Sequence, residues 1–184
     1  MAERVTILGD GAMGTVCSIL LTQGGHEVTM WGAFDRVIEK LLQDREQHTL
    51  LPGVRIPPTV RLTGRDQECF AGATLILSAI PTQFMRSSWK RLARHVPPRV
   101  PVVSVAKGIE NGTLMRPTQI IADVLGPMGM EGRSLAVLSG PNIAAELARY
   151  LPATSVAASE DMELARRVQA AMSTQWVRVY TNAD

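Results

Sequence analysis

Apolar residues along this chain follow two rhythms that alternate from one end to the other. Short, nearly unbroken apolar runs mark strands buried on both faces of a parallel sheet. Apolar residues at helical spacing mark helices that bury a single face. The first run, Val5-Thr6-Ile7-Leu8, gives way to a periodic segment carrying Val16, Ile19 and Leu20, which Gly24-Gly25 closes. A second strand, Glu27-Val28-Thr29-Met30-Trp31, follows. Residues 36–46 read as a helix with Val37, Leu41 and Leu42 on one face. The proline-rich connector from Leu51 to Pro58 leads to a short strand at 59–62 and a small helix at 65–71. Ala73 to Ile80 is almost wholly apolar and stops at Pro81, which cannot continue a sheet ladder.

The same alternation runs on to the end. A helix is expected at 82–94 (Met85, Trp89, Leu92), a strand from Val100 to Val105, and a helix at 114–125 ended by Gly126-Pro127. Leu135 to Leu138 is a further strand, and the turn Ser139-Gly140-Pro141-Asn142 opens a helix reaching about Arg149. A strand at 153–158, a helix at 160–172 and a last strand from Trp176 to Tyr180 complete the series. Strands alternating with helices predict an α/β fold with a doubly wound, mostly parallel sheet and helices on both faces. No internal repeat or low-complexity segment interrupts it.

Composition narrows the function classes. A chain of 184 residues suits one domain. The formal charge is +2 and the basic residues are scattered, so neither nucleic acid nor a membrane surface is an expected partner. No apolar run reaches bilayer length and no signal-peptide pattern opens the chain, so a cytoplasmic location is expected. Cys17 reads as a buried small apolar residue in the first helix, and Cys69 lies far from it. With no metal-ligand spacing, neither a disulfide nor a metal site is expected.

The chemistry begins where the first strand meets the first helix. Gly9-Asp10-Gly11-Ala12-Met13-Gly14 has the spacing G-x-G-x-x-G. The first glycine permits a tight turn, the second lets backbone approach a pyrophosphate, and the third lets helix pack on strand. The helix start then offers unpaired N–H groups to the diphosphate. Strand, helix and second strand together have the size of a βαβ unit and read as a Rossmann-type dinucleotide site. In such units the residue ending the second strand reads the adenosine ribose: an acid favours a free 2′-hydroxyl, an arginine a 2′-phosphate. Here Gly32-Ala33-Phe34-Asp35 follows Trp31. There is no arginine, and Asp35 comes late, open to readings as ribose acceptor or as helix cap. Cofactor choice leans to NAD over NADP.

Two further strand ends should meet the glycine turn at the ligand-bearing carboxyl edge: Pro81 to Phe84, and Ala106 to Glu110. Lys107, one of only three lysines, comes directly off a buried strand. It reads as an ammonium holding an anionic or oxygen-rich substrate beside the nicotinamide, or else as a surface lysine. The Ser139–Asn142 turn offers N–H groups to a phosphate or cofactor amide, or simply an N-cap from Asn142. His26, His48 and His95 sit in contexts typical of solvated residues, and Met13, Met30 and Met85 read as core filler.

These segments, in this order, resemble the N-terminal domain of NAD(P)-dependent sn-glycerol-3-phosphate dehydrogenase. The resemblance runs over nearly the whole chain. It includes Gly9–Gly14, Val28-Thr29-Met30-Trp31, Leu51-Pro52-Gly53, Pro81-Thr82-Gln83-Phe84, Ala106-Lys107-Gly108-Ile109-Glu110, the stretch from Ser139 to Glu146, and Arg178-Val179-Tyr180. It implies hydride transfer between NAD(P)H and dihydroxyacetone phosphate, giving sn-glycerol 3-phosphate for phospholipid synthesis, with a possible homodimer in the full-length protein. It implies cofactor contacts at Gly9, Asp10, Gly11, Ala12, Met13, Gly14, Trp31, Ala33, Pro81, Phe84, Lys107 and Ala144. Substrate contacts fall on Lys107, Gly140 and Asn142. The family's proton donor is a second lysine, in a leucine-lysine-asparagine motif of a C-terminal helical domain that also binds the phosphate. Neither is found in residues 1–184. The expectation is therefore a cofactor domain that binds dinucleotide and turns over little or nothing by itself.

Two departures from the family pattern stand out. Asp10 occupies the variable position between the first glycines, where an acid repels the diphosphate unless it points away. On that ground Asp10→Ala is expected to tighten NADH binding. Ala33 stands where many bacterial relatives carry arginine, which puts an NADP preference in doubt. The rival readings are a non-catalytic dinucleotide sensor and another β-hydroxyacid-type dehydrogenase on the same fold.

Overall fold

A computed structural model describes residues 2–129 and 132–183. Its strands are β1 (Arg4–Leu8), β2 (Glu27–Trp31), β3 (Arg61–Thr63), β4 (Leu75–Ser78), β5 (Val102–Ser104), β6 (Leu135–Ser139), β7 (Ala153–Ala158) and β8 (Val177–Asn182). The helices are α1 (Ala12–Gln23), α2 (Asp35–Asp44), α3 (Thr82–Leu92), α4 (Pro117–Leu125), α5 (Ala144–Leu147) and α6 (Met162–Met172). The strands form one sheet in the order β3-β2-β1-β4-β5-β6-β7-β8. Every neighbouring pair is parallel except β6 with β7. The chain starts at β1 and winds outward to β3, then returns to the other side of β1 at β4. The gap between the carboxyl ends of β1 and β4 is thus the topological switch point where α/β sheets bind ligands.

Alternation along the central strands divides the core in two. Val5 and Ile7 of β1, Leu75 and Leu77 of β4 and Val103 of β5 face one side. There they meet Val16, Leu20 and Leu21 of α1, Ile38 and Leu41 of α2, and Leu164, Val168 and Met172 of α6. Leu8, Ile76 and Val102 face the other, against Met85, Trp89 and Leu92 of α3 and Ile120, Ile121 and Val124 of α4. Each large side chain buried in this way contributes about 1.5–3 kcal/mol relative to exposure. Of the polar groups caught in these layers, the Trp89 indole donates to Ser78 Oγ at 3.2 Å and Thr6 donates to the Cys69 carbonyl at 2.6 Å, while the buried Thr15 hydroxyl of α1 has no partner. Both cysteines are free and buried, and burial pushes the Cys17 thiol up to about 12, so it stays protonated. No helix among the described residues is long and apolar enough to cross a membrane.

Local chemistry moves several element boundaries. Asp35 is the first residue of α2 rather than its cap; Phe34 holds the cap position and makes no side-chain bond. Leu42 is 52% exposed, so the buried stripe of α2 is Ile38 and Leu41. The expected helix at 114–125 begins only at Pro117, because Leu114 takes a positive φ of 59° in the turn before it. The segment at 65–71 is a single tight turn over Glu68–Phe70, and the helix after Asn142 is cut to Ala144–Leu147. His26 is not simply solvated: its Nδ1 accepts the Glu3 N–H at 2.9 Å, and burial lowers its pKa.

Candidate functional site

The bend after β1 is built by steric necessity. Gly9 has φ +120°, and a Cβ there would lie 2.9 Å from the Ala79 carbonyl oxygen at the end of β4. Its N–H donates to the Trp31 carbonyl at 2.9 Å, which ties the bend to β2 as well. A Cβ on Gly14 would lie 2.1 Å from the Gly9 carbonyl oxygen, so only glycine lets α1 sit this close to the strand. Gly11 is different: the nearest atom to its missing Cβ is a Leu50 methyl at 3.5 Å, an ordinary contact, so a Cβ would fit and Leu50 borders the cradle on this side of the bend. Gly11 caps α1 without any side-chain bond, so the N–H groups of Ala12, Met13 and Gly14 lack intrahelical partners. The shape and the donors fit a dinucleotide diphosphate. Gln47 donates to the Asp10 carbonyl at 3.0 Å, so the segment after α2 forms a rim beside the cradle.

Asp10 turns away from the cradle. Its Oδ2 lies 2.4 Å from where a Cβ on Gly32 would be, just past the end of β2, and has no hydrogen-bond partner. Burial raises its pKa. This orientation removes the ground for expecting diphosphate repulsion. The end of β2 is held by a second network. Asp66 accepts from Trp31 Nε1 at 3.1 Å and from Arg91 Nε at 2.7 Å. Arg91 Nη1 donates to the Ala33 carbonyl at 2.9 Å, and its guanidinium lies 5.2 Å from the Trp31 ring centroid. Asp35 points elsewhere, its Oδ1 against Gly64.

Across the switch point, β4 and β5 deliver the other two strand ends. Pro81 caps α3 and Phe84, in its first turn, is 65% exposed at the rim. Thr82 Oγ1 donates to the Lys107 carbonyl at 2.8 Å, and Gln83 Nε2 to the Ile109 carbonyl at 2.8 Å. Arg86 forks onto Glu110, Nε reaching Oε1 at 3.0 Å and Nη2 reaching Oε2 at 2.8 Å, and Nη1 pairs with Asp123. These bonds from Arg86, with one from Thr113, hold the Glu110 carboxyl below the usual range. The loop carrying Lys107 is thereby pinned at both ends, while the Lys107 side chain itself is exposed and reaches out.

Lys107 Nζ donates to the Gly140 carbonyl at 2.7 Å and to the Asn142 carbonyl at 3.4 Å. The turn after β6 therefore shows carbonyl oxygens of Gly140 and Asn142 to the ammonium. The Asn142 N–H is consumed inside the turn by the Gly140 carbonyl at 2.8 Å. Nor does Asn142 cap α5: Ile143 holds that position, and Asn142 Nδ2 donates to Ser155 Oγ at 2.6 Å. Asn142 Oδ1 is buried with no partner. A cavity of about 30 Å³ joins the pieces, lined by Met13 and Cys17 of α1, Lys107, Gly140 and Asn142. Ala144, part-buried, packs against the same core as Met13.

The structure thus gathers Gly9, Asp10, Gly11, Ala12, Met13, Gly14, Trp31, Ala33, Pro81, Phe84, Lys107, Gly140, Asn142 and Ala144 along one carboxyl edge. Met13 faces this cavity and is not only core filler, whereas Met30 and Met85 are fully buried. Sequence reasoning missed Gln47, Leu50, Asp66 and Arg91. All four come from connectors or outer helix faces, where no periodic signal marks a residue that folds back. Among the described residues no His, Cys, Asp and Glu group could hold a metal ion.

Residues 4–165 match the family model described as NAD-dependent glycerol-3-phosphate dehydrogenase N-terminus. The chain is 39% identical over 184 residues to a glycerol-3-phosphate dehydrogenase (NAD(P)+) of Mycobacterium tuberculosis, covering 100% of this chain and 54% of that protein. It is 40% identical over 185 residues to one of Salinibacter ruber, covering 100% and 53%. The crystal structure of glycerol-3-phosphate dehydrogenase from Coxiella burnetii shares the fold, with a TM-score of 0.90 at 24% identity, over 100% of this chain and 55% of that one. The chain spans about half the length of the curated relatives it matches. It belongs to the NAD-dependent glycerol-3-phosphate dehydrogenase family, matching that family's N-terminal, NAD(P)-binding domain.

Proposed function

We propose that residues 1–184 form the coenzyme-binding half of an enzyme that interconverts dihydroxyacetone phosphate and sn-glycerol 3-phosphate. The observation that carries the reading is the meeting of Met13, from the glycine bend, with Lys107, Gly140 and Asn142 around one cavity. The bend and the start of α1 would hold the diphosphate through the N–H groups of Ala12 and Met13. At the end of β2, Ala33 and the backbone past Trp31, whose own side chain is buried, would border the adenosine, and Pro81, Phe84 and Ala144 the nicotinamide side. When bound, the reduced coenzyme supplies the hydride that turns the ketone into a secondary alcohol.

The chain's own residues then position the ketone. Lys107, held by two carbonyls, offers a third N–H to a substrate oxygen, and an ammonium there stabilises charge that develops on it. Asn142 Oδ1, buried and unbonded, is a second contact for a substrate hydroxyl. Proton delivery needs another group. The remaining lysines, Lys40 and Lys90, are exposed on α2 and α3, outside the site. By the family resemblance, the acid/base lysine and the phosphate clamp belong to the part of the enzyme beyond these residues. The lean to NAD rests on Gly32-Ala33 after β2, which supply no arginine themselves, and on the bonds that hold Arg91 to Asp66 and the Ala33 carbonyl.

Residues 1–184 are expected to bind NADH and to reduce dihydroxyacetone phosphate slowly or not at all, since positioned acid–base catalysis alone contributes about 10²–10⁴-fold. Calorimetric titration with NADH and a steady-state assay on the same sample test both parts. Absence of NADH binding would sink the coenzyme reading, and robust turnover would refute the need for a second half.

A further inference from the structure

We infer that Asp10 is the residue that selects the unphosphorylated coenzyme, its carboxylate accepting the adenosine 2′-hydroxyl and opposing a 2′-phosphate. The inference rests on the reading that the glycine bend holds a dinucleotide, and it goes further by assigning the choice between NAD and NADP. Dinucleotide folds usually make this choice with the residue that ends the second strand. Here Gly32 follows β2 and is buried, with no side chain to offer. Asp10 fills that place from the neighbouring strand end. Its Oδ2 sits 2.4 Å from the position of a Gly32 Cβ, so any larger residue at 32 would displace it.

The carboxylate is also unfinished. Asp10 is part-buried, and its Oδ2, closed off from solvent, has no hydrogen-bond partner, an unusual state for a carboxylate oxygen. A ribose hydroxyl supplies the missing donor, while a phosphate brings a second anion against it. Of the other acids of this corner, Asp66 holds Trp31 and Arg91, and Asp35, exposed on the first turn of α2, lies against Gly64 and near enough to Arg91 to act on its charge. Arg91 is the cation that could argue the other way. Its Nε and Nη1 are committed to Asp66 and the Ala33 carbonyl, so a 2′-phosphate would have to break those bonds to use it.

Titration of the chain with NADH and with NADPH, in wild type, Asp10→Ala and Asp10→Asn, tests this. Wild type is expected to favour NADH by about tenfold or more, the scale of one charge-assisted hydrogen bond. Asp10→Ala should weaken NADH by about tenfold and bring the two coenzymes within about threefold of each other. Asp10→Asn keeps the shape and an acceptor oxygen, so it should hold NADH within about threefold while gaining NADPH. An unchanged NADH-to-NADPH ratio in both variants would overturn the inference, as would wild type favouring NADPH or NADH tightening in Asp10→Ala. Wild type binding neither coenzyme would instead bring down the dinucleotide reading itself, and Asp10 selection with it.

Discussion

The two corners of the carboxyl edge are built on opposite plans. At the β1–β2 corner, backbone meets backbone: Gly9 against the Ala79 carbonyl, Gly14 against the Gly9 carbonyl, and little room for a side chain to adjust. At the β5–β7 corner, long side chains bridge loops, and apolar groups face outward. Ile143 and Tyr150 are more than half exposed beside α5, and Val156 and Tyr180, paired across β7 and β8, stand exposed on the sheet face. A rigid cradle suits a coenzyme whose diphosphate is always the same shape. An open, lysine-bearing corner suits a substrate that is gripped only when further residues arrive, which is why binding is assigned to this half and turnover to the whole.

The largest effect is expected from breaking the rigid corner. Gly14→Ala places a methyl 2.1 Å from the Gly9 carbonyl oxygen. It should lower stability by about 3 kcal/mol or more and remove measurable NADH binding, checked by thermal melting and titration. A variant that melts and binds like wild type would mean the bend has slack that its geometry denies. The lysine-bearing corner should respond differently. Lys107→Ala, in the full-length enzyme, is expected to lower kcat/KM for dihydroxyacetone phosphate by about 10²-fold or more. The Kd for NADH should stay within about threefold, a split that separates ketone positioning from coenzyme binding.

The smallest effects come from one carboxylate in each corner, and their signs differ. Glu110, held low by Arg86 and Thr113, adds stability above the ordinary glutamate range that is lost as pH falls through its depressed value. Glu110→Gln should therefore lower Tm at neutral pH, with the gap closing in acid. Asp10, pushed up by burial, adds stability below the ordinary aspartate range that is lost as pH rises through its raised value. Asp10→Asn should raise Tm modestly at neutral pH, and that gain should also vanish in acid. Melting curves across pH for both variants read the contrast; a shift of the same sign at neutral pH would contradict it.

The alternation of apolar runs made the doubly wound sheet legible, because strands buried on both faces leave few positions for polar residues. The bend was legible too, since Gly9 and Gly14 each answer a contact that a Cβ would violate, while Gly11 does not. The Lys107 loop and the Gly140 turn were legible as the segments after β5 and β6, but the contact of Lys107 with the Gly140 and Asn142 carbonyls was not. Spacing shows that a loop precedes a helix; it does not show which way the peptide groups of Gly140 and Asn142 point. The orientation of Asp10 was equally hidden, because it depends on a missing side chain at Gly32, which is distant in sequence. Arg91 and Asp66 carry no motif at all and become visible only when α3 and the connector before β4 close over Trp31.

The account's central claim is that the bend after β1 seats the diphosphate, with the nicotinamide end reaching toward Lys107. A crystal structure of the chain grown with NADH measures this directly. The expected result has the diphosphate over Gly11, Ala12 and Met13, the adenosine ribose beside Asp10 and Gly32, and the nicotinamide on the Lys107 side. Coenzyme bound elsewhere, with Leu50 and Gln47 closed over an empty bend, would contradict it.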